Sequence, residues 1–173
     1  MIGNDIVDLA KAKQESGIFR PRYLEKICST EEINLILSAA EPIRCFWRIW
    51  TMKESAYKAV QRQFNLKPAF NPFAFACLFQ DSEFGTVDFR VHQLSTKTIK
   101  TDDYVYSEII DNEIKQQFFG ASSDFLLMLK NELNLQSLPE FSKTKQGLPI
   151  LNLADKTLSV SKTHHGRFQA FQY

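Results

Sequence analysis

Phe46-Trp47-Arg48-Ile49-Trp50-Thr51-Met52-Lys53-Glu54-Ser55-Ala56-Tyr57-Lys58-Ala59-Val60-Gln61-Arg62-Gln63-Phe64 is the stretch on which the fold turns. Phe46, Ile49, Trp50, Tyr57, Val60 and Phe64 recur at helical spacing, so the pattern predicts a helix over 46–64 with one buried stripe. Asn65, Pro68, Asn71 and Pro72 end it. Glu54 and Lys58 lie about 40° apart around that helix and project from one face. Such a pair serves equally well as an ordinary surface ion pair. Lys53 is the anomaly, because it falls near the middle of the apolar stripe. It must either snorkel outward along its stem or point into a polar site. A local pattern that conflicts with its surroundings in this way is expected at functional positions.

Towards the N-terminus, Ile2-Gly3-Asn4-Asp5-Ile6-Val7-Asp8-Leu9 reads as a short buried strand carrying acids. An ionised Asp5 inside it needs a positive partner, and a metal ion, an arginine or a strand-end hydrogen bond would each serve. Asp8 turns to the opposite face and caps the strand end. Tyr23 to Ile27 suits a brief helix. Ser29-Thr30-Glu31-Glu32 is a capping box that opens a second helix, closed by Pro42.

Towards the C-terminus, the β-rich runs 73–79, 86–92 and 103–110 predict antiparallel strands separated by polar turns. A last helix is expected from Ser123 to Leu133, capped by Ser122, with Phe125, Leu126, Leu129 and Leu133 inward. Residues 137–157 read as a loop around one short strand, Leu148 to Leu153. Ser159-Val160-Ser161-Lys162-Thr163-His164-His165-Gly166-Arg167 reads as a mostly cationic loop before a closing strand, 168–173. Its hydroxyls, ring N–H groups and turn amides suit phosphate oxygens, although such a loop also serves a purely structural purpose.

Composition narrows the function classes. The chain has 173 residues, 44% hydrophobic and 24% charged, the balance of a globular domain. Fifteen Phe residues point to an aromatic core. The longest strongly apolar run, Phe125 to Leu129, is too short to cross a bilayer. Met1 to Asp5 lacks the basic and apolar stretches of a signal peptide, so a cytoplasmic protein is expected. Cys28, Cys45 and Cys77 are odd in number and irregularly spaced, which suggests neither a disulfide framework nor a zinc site. A net charge of +1 supplies no global field towards nucleic acid or membrane. Any acidic partner must meet a local patch, for which Arg20 to Lys26, followed by Arg44, Arg48, Lys58 and Arg62, is the candidate. An ordinary solvated basic surface accounts for it equally well.

Taken in order, Gly3-Asn4-Asp5-Ile6-Val7, Trp50 to Lys58, Gly147-Leu148-Pro149 and Ser161-Lys162-Thr163-His164 resemble the motif set of the 4′-phosphopantetheinyl transferase superfamily. Arg22 to Glu32 is similar to the basic segment before that family's second helix. The motif order is that of its holo-acyl-carrier-protein-synthase-like members. The resemblance implies an α+β fold, antiparallel sheets packed against helices, in one domain over 1–173. Two pseudo-symmetric lobes, about 1–115 and 116–173, are one arrangement this length allows, as a monomer or as part of a homotrimer.

The same resemblance implies a function. It is Mg²⁺-dependent transfer of 4′-phosphopantetheine from coenzyme A to a serine of an acyl or peptidyl carrier protein, releasing 3′,5′-ADP. Asp5 and Glu54 are implied as metal ligands, Glu54 and Lys58 as catalytic residues, and Lys53, Lys58, Thr163 and His164 as coenzyme-binding residues. Arg20, Arg22, Lys26 and Arg48 are the implied docking surface for an acidic carrier. A basic residue often follows the glycine of the Gly-x-Pro turn in the family. Leu148 stands there in this chain, so contact with the 3′-phosphate falls to Lys143, Lys145 or Lys162. A non-catalytic relative that binds coenzyme A or a carrier is the alternative reading. A different Mg²⁺-dependent phosphoryl enzyme, such as a hydrolase, is the third.

Overall fold

The computed structural model describes residues 1–111, 116–153 and 156–173. Its architecture is α+β. Strands β1 (Asn4–Asp8), β2 (Ala76–Phe79), β3 (Phe84–Phe89), β4 (His92–Lys100) and β5 (Tyr104–Ile110) form an antiparallel sheet in the order β1-β5-β4-β3-β2. Helix α1 (Leu9–Glu15) follows β1 directly, and α2 (Thr30–Ser38) precedes the long helix α3 (Pro42–Gln63). One face of α3 lies on this sheet. Met52, Ala56, Ala59 and Val60 pack with Val87, Leu94 and Ile109, all almost fully buried.

The opposite face of the sheet carries Ile6 and Tyr106, which meet Ala170. That residue belongs to a second antiparallel sheet of β10 (Ser161–His165), β11 (Phe168–Gln172) and β6 (Gln117–Phe119). Helix α4 (Ser122–Glu132) covers the outer side of this second sheet, where Phe125 stacks on Phe171 with ring centroids 4.1 Å apart. A third sheet, β7 (Glu140–Lys143), β8 (Pro149–Asn152) and β9 (Thr157–Ser159), adds Leu151 to that aromatic cluster. Among the described residues no helix is long and apolar enough to cross a membrane.

Several elements differ from the sequence reading. Pro42 opens α3 instead of closing α2; it stands at the helix start, where its missing N–H would have had no helical partner. The capping box forms as predicted, with Ser29 Oγ accepting from the Glu32 N–H and Glu32 Oε2 from the Ser29 N–H. The expected helix at Tyr23–Ile27 is a single 3₁₀ turn, Leu24–Lys26. The run 86–92 splits between β3 and β4 at Arg90, whose φ of 56° turns the chain. Ala121, not Ser122, is the residue before α4, and Leu133 is exposed. Residues 137–157 hold β7 and β8 paired as a hairpin, and the region read as a cationic loop contains β10.

Candidate functional site

Strand β1 is an edge strand, so the N–H groups of Asn4, Ile6 and Asp8 point away from β5. Among the described residues no backbone carbonyl pairs with them. Side chains of β10 do so instead: Ser161 Oγ accepts from Asn4, Thr163 Oγ1 from Ile6 and His165 Nδ1 from Asp8, at 3.1, 3.3 and 2.9 Å. Alternation along β10 puts these three side chains on one face, and Lys162 and His164 on the other. This arrangement explains why hydroxyls recur every second residue. They replace a β-ladder rung by rung, so that the outward N–H groups of β1 are satisfied.

Gly3 sets the depth at which β1 meets α3. A Cβ there would collide with the Ser55 carbonyl and crowd Ala59, so only glycine allows the strand to lie so close to the helix. This approach brings Lys58 of α3 to β1. Its Nζ donates to the Asn4 carbonyl at 2.8 Å and to Asp5 Oδ1 at 2.7 Å. The same carboxylate oxygen accepts the Thr163 hydroxyl at 2.9 Å. Asp5, Glu54, Lys58, Thr163 and His164 all line one open cavity of about 390 Å³.

Glu54 stands half-buried beside this pair and accepts no hydrogen bond from the described residues. Burial, and then the charge of Asp5, push its carboxyl up to about 7, while Lys58 pulls it back. Two carboxylates, Asp5 and Glu54, share the cavity wall with two ammonium groups, Lys58 and Lys162; Lys58 is paired with Asp5, and Glu54 forms no ion pair with a described residue. Among the described residues no group of three acid, His or Cys side chains gathers. Asp5 and Glu54 are the side chains of this wall that could hold a hard divalent cation, which takes one or two carboxylates and completes its shell with water and phosphate oxygens.

Not every residue singled out in the sequence comes to the cavity. Lys53 does not, and its expected coenzyme contact is corrected. Its ammonium lies in the interior, 1% exposed, paired with Glu32 at 2.7 Å and donating to the carbonyls of Ile27 and Pro72 at 3.0 Å. All three N–H donors are engaged there, which ties α3 to α2 and to the chain entering β2. Glu32 is equally buried, and its second oxygen accepts from the Cys77 N–H.

Arg48 is likewise not a docking residue. It is 3% exposed, bonded to the carbonyls of Asp81 and Phe84 and stacked on Phe79 with its guanidinium carbon 3.8 Å from the ring centroid. Arg20, Arg22 and Lys26 are exposed. Asp8 faces away from the cavity, caps α1 and holds Arg167 through both carboxylate oxygens. Gly166, with φ of 55°, turns the chain between β10 and β11, and a Cβ there would strike the Asp8 carboxylate. Ser16, Tyr23, Trp47, Trp50 and Lys162 are also part of the cavity wall. Nothing in the periodicity distinguished Ser16, Tyr23 and Trp47 from ordinary surface or core residues.

An edge strand and a long helix thus present two carboxylates and a lysine to one cleft of an α+β fold. A family model described as the 4′-phosphopantetheinyl transferase superfamily matches residues 1–109, well over half the chain, and the chain belongs to that superfamily. The match includes Asp5, Glu54 and Lys58 but stops before Thr163 and His164. No curated protein matches the sequence. Among solved structures, the Thermotoga maritima holo-acyl-carrier-protein synthase (AcpS) is similar with a TM-score of 0.47 and 12% identity, over 88% of this chain and 82% of that one.

Proposed function

We propose that the protein transfers 4′-phosphopantetheine from coenzyme A to a serine hydroxyl of an apo carrier protein. The serine oxygen forms a bond to the β-phosphorus, the bond from that phosphorus to the bridging oxygen breaks, and 3′,5′-ADP departs. Such a reaction needs placement and charge neutralisation more than covalent help. Asp5 and Glu54 would hold Mg²⁺, which supplies charge neutralisation to the diphosphate. Lys58 neutralises a diphosphate oxygen from the α3 side. Thr163 fixes the Asp5 carboxylate, and His164, exposed on β10, donates a ring N–H to the phosphates. Glu54 takes the serine proton.

One observation carries this reading: Asp5 on β1 and Glu54 on α3 line one cavity with Lys58, which is bonded to Asp5 at 2.7 Å. All the assigned side chains line a cavity of one chain. On this reading the chain is a single self-contained unit that acts as a monomer, without a site residue from a second copy. An acidic carrier meets the exposed Arg20, Arg22 and Lys26 beside Tyr23 at the cavity wall. A neighbouring apolar groove, which shares Ser16 and Trp47 with the cavity and carries Lys13 and Arg20, extends that face.

Incubating apo carrier proteins with coenzyme A and Mg²⁺ and weighing the product tests the proposal. The expected result is a mass gain of one phosphopantetheine on a carrier serine, abolished by Glu54→Ala. Absence of any gain across fatty-acid, polyketide and peptide carriers, with coenzyme A bound, would replace this reading with that of a non-catalytic binder.

A further inference from the structure

His165 is the last rung between β10 and β1, and its ring has a second engagement. Nδ1 accepts the Asp8 N–H at 2.9 Å, so the proton of the neutral imidazole sits on Nε2. Nε2 lies 3.3 Å from Glu15 Oε2 and donates to it. One side chain thus joins the strand that carries Thr163 and His164 to the end of β1 and to the last residue of α1. Helix preference does not explain an acid in that position. Glu15 closes α1, where the negative end of the helix dipole opposes a carboxylate. Its other ionic neighbour is the exposed Lys11, one turn back at 3.5 Å.

The chain that follows Glu15 gives this contact its importance. Residues 16–23 hold no helix or strand. Ser16 and Tyr23 line the same cavity as His165, and Arg20 and Arg22 are exposed between them. The hydrogen bonds of this segment are local. Ser16 donates to the Ala12 carbonyl, Arg20 to that of Gly17 through both its backbone and its side chain, and Tyr23 to that of Arg20. Arg22 pairs with Glu25. Ile18, 4% exposed, and Tyr23, against Phe46, anchor the segment by apolar packing, which is non-directional and sets its depth more than its register. Among the described residues, the bond from His165 to Glu15 is the one polar link between residues 12–23 and a distant part of the chain.

We infer that His165 is a positioning residue for the second substrate: through Glu15 it fixes residues 16–23, and with them the face that meets the carrier, relative to the strand that holds coenzyme A. This inference rests on the transfer reading above and adds to it a residue that acts on neither reacting group.

Steady-state kinetics with coenzyme A and an apo acyl carrier protein, paired with calorimetry of carrier binding to the full chain, tests the assignment. His165→Asn places an amide oxygen where Nδ1 accepts, so it keeps the Asp8 rung and cannot reach Glu15. Glu15→Ala removes the acceptor from a side chain that is 52% exposed and leaves the rung in place. Each should raise the KM and the Kd for the carrier about three- to tenfold, the range of one hydrogen bond, and leave kcat and the KM for coenzyme A within about twofold. The double variant should be no worse than either single one, because both substitutions break the same contact. His165→Gln, whose amide reaches Glu15 and not the Asp8 N–H, should bring the carrier KM back towards wild type and lower the urea midpoint instead. An unchanged carrier KM in Glu15→Ala, or equal rises for carrier and coenzyme A, would leave His165 as a strand rung alone and overturn the inference. Weaker carrier binding by both variants of a protein that transfers nothing would uphold the inference and sink only the transfer reading. Folded wild type that binds no carrier would sink both.

Discussion

The Thr163 hydroxyl donates to Asp5 Oδ1 at 2.9 Å while its oxygen accepts the N–H of Ile6, the residue after that aspartate. One side chain thus holds both the carboxylate and the strand that carries it. Replacing Thr163 with Val removes the hydroxyl at nearly constant shape and leaves a buried N–H unpaired, at about 1–3 kcal/mol. Thr163→Ser should keep both bonds. Urea unfolding should rank wild type and Ser together above Val, and carrier modification should fall with Val alone.

Glu54 gives the metal-free protein a pH dependence of unusual sign. Its carboxyl titrates near 7 in the fold, against 4.5 as the ordinary value. Between those pH values the unfolded chain releases a proton that the native protein keeps, so stability falls as pH rises through that window. Glu54→Gln should flatten this part of the curve. Mg²⁺ at pH 7 should raise the unfolding midpoint of the wild type and leave that of Glu54→Gln unmoved. Parallel pH curves for the two proteins would refute the assignment.

Lys53 and Glu32 form a buried ion pair that holds α3, α2 and the entry to β2 together. Lys53→Met strands the Glu32 charge and should lose about 3–5 kcal/mol, whereas Lys53→Met with Glu32→Gln should recover part of that loss. Unfolding free energies of the four proteins in the cycle measure the coupling. Independence of the two substitutions would show that the pair adds nothing.

Asp8 contributes at the acid end. The Arg167 side chain, helped by the backbone N–H groups of Arg167 and Lys11, holds its carboxyl well below the usual range against the upward push of burial. The stabilisation is present above the ordinary carboxylate value of 3.8 and is lost as pH falls below it. Asp8→Asn should be less stable than wild type by about 1.5–3 kcal/mol at pH 7. Circular dichroism melts should show the gap closing at acid pH.

Arg22 offers a separate handle on the partner. Reversal to Glu should raise the KM for an acidic carrier and leave coenzyme A binding intact, because Arg22 is exposed and is not part of the cavity wall. Steady-state kinetics in both substrates would settle this, and equal effects on the two would remove Arg22 from the docking face.

Periodicity carried much of the fold. The 3.6-residue stripe identified α3, and the strand at Asn4–Asp8 follows from its apolar run. Strand β4 was illegible because His92-Gln93-Leu94-Ser95-Thr96-Lys97-Thr98-Ile99-Lys100 buries only Leu94, Thr96 and Thr98, so its inward face is largely polar. The site was legible as residue types in order. Its assembly was not, because the meeting of β1 with β10 is set by side-chain rungs across more than 150 residues of sequence. Lys53 misled for a definite reason: its partner Glu32 had been assigned to a capping box, and it serves both purposes.

The manner in which β1 is bordered has a consequence for solution behaviour. A strand margin with free amide hydrogens is an adhesive surface that recruits chains from other molecules. Here Ser161, Thr163 and His165 blunt it, and two of those three flank the cleft opening. Damage to this border would thus present itself twice, as a loss of turnover and as particles in the tube, and light scattering on Ser161→Ala/Thr163→Val protein would reveal the second before any assay revealed the first.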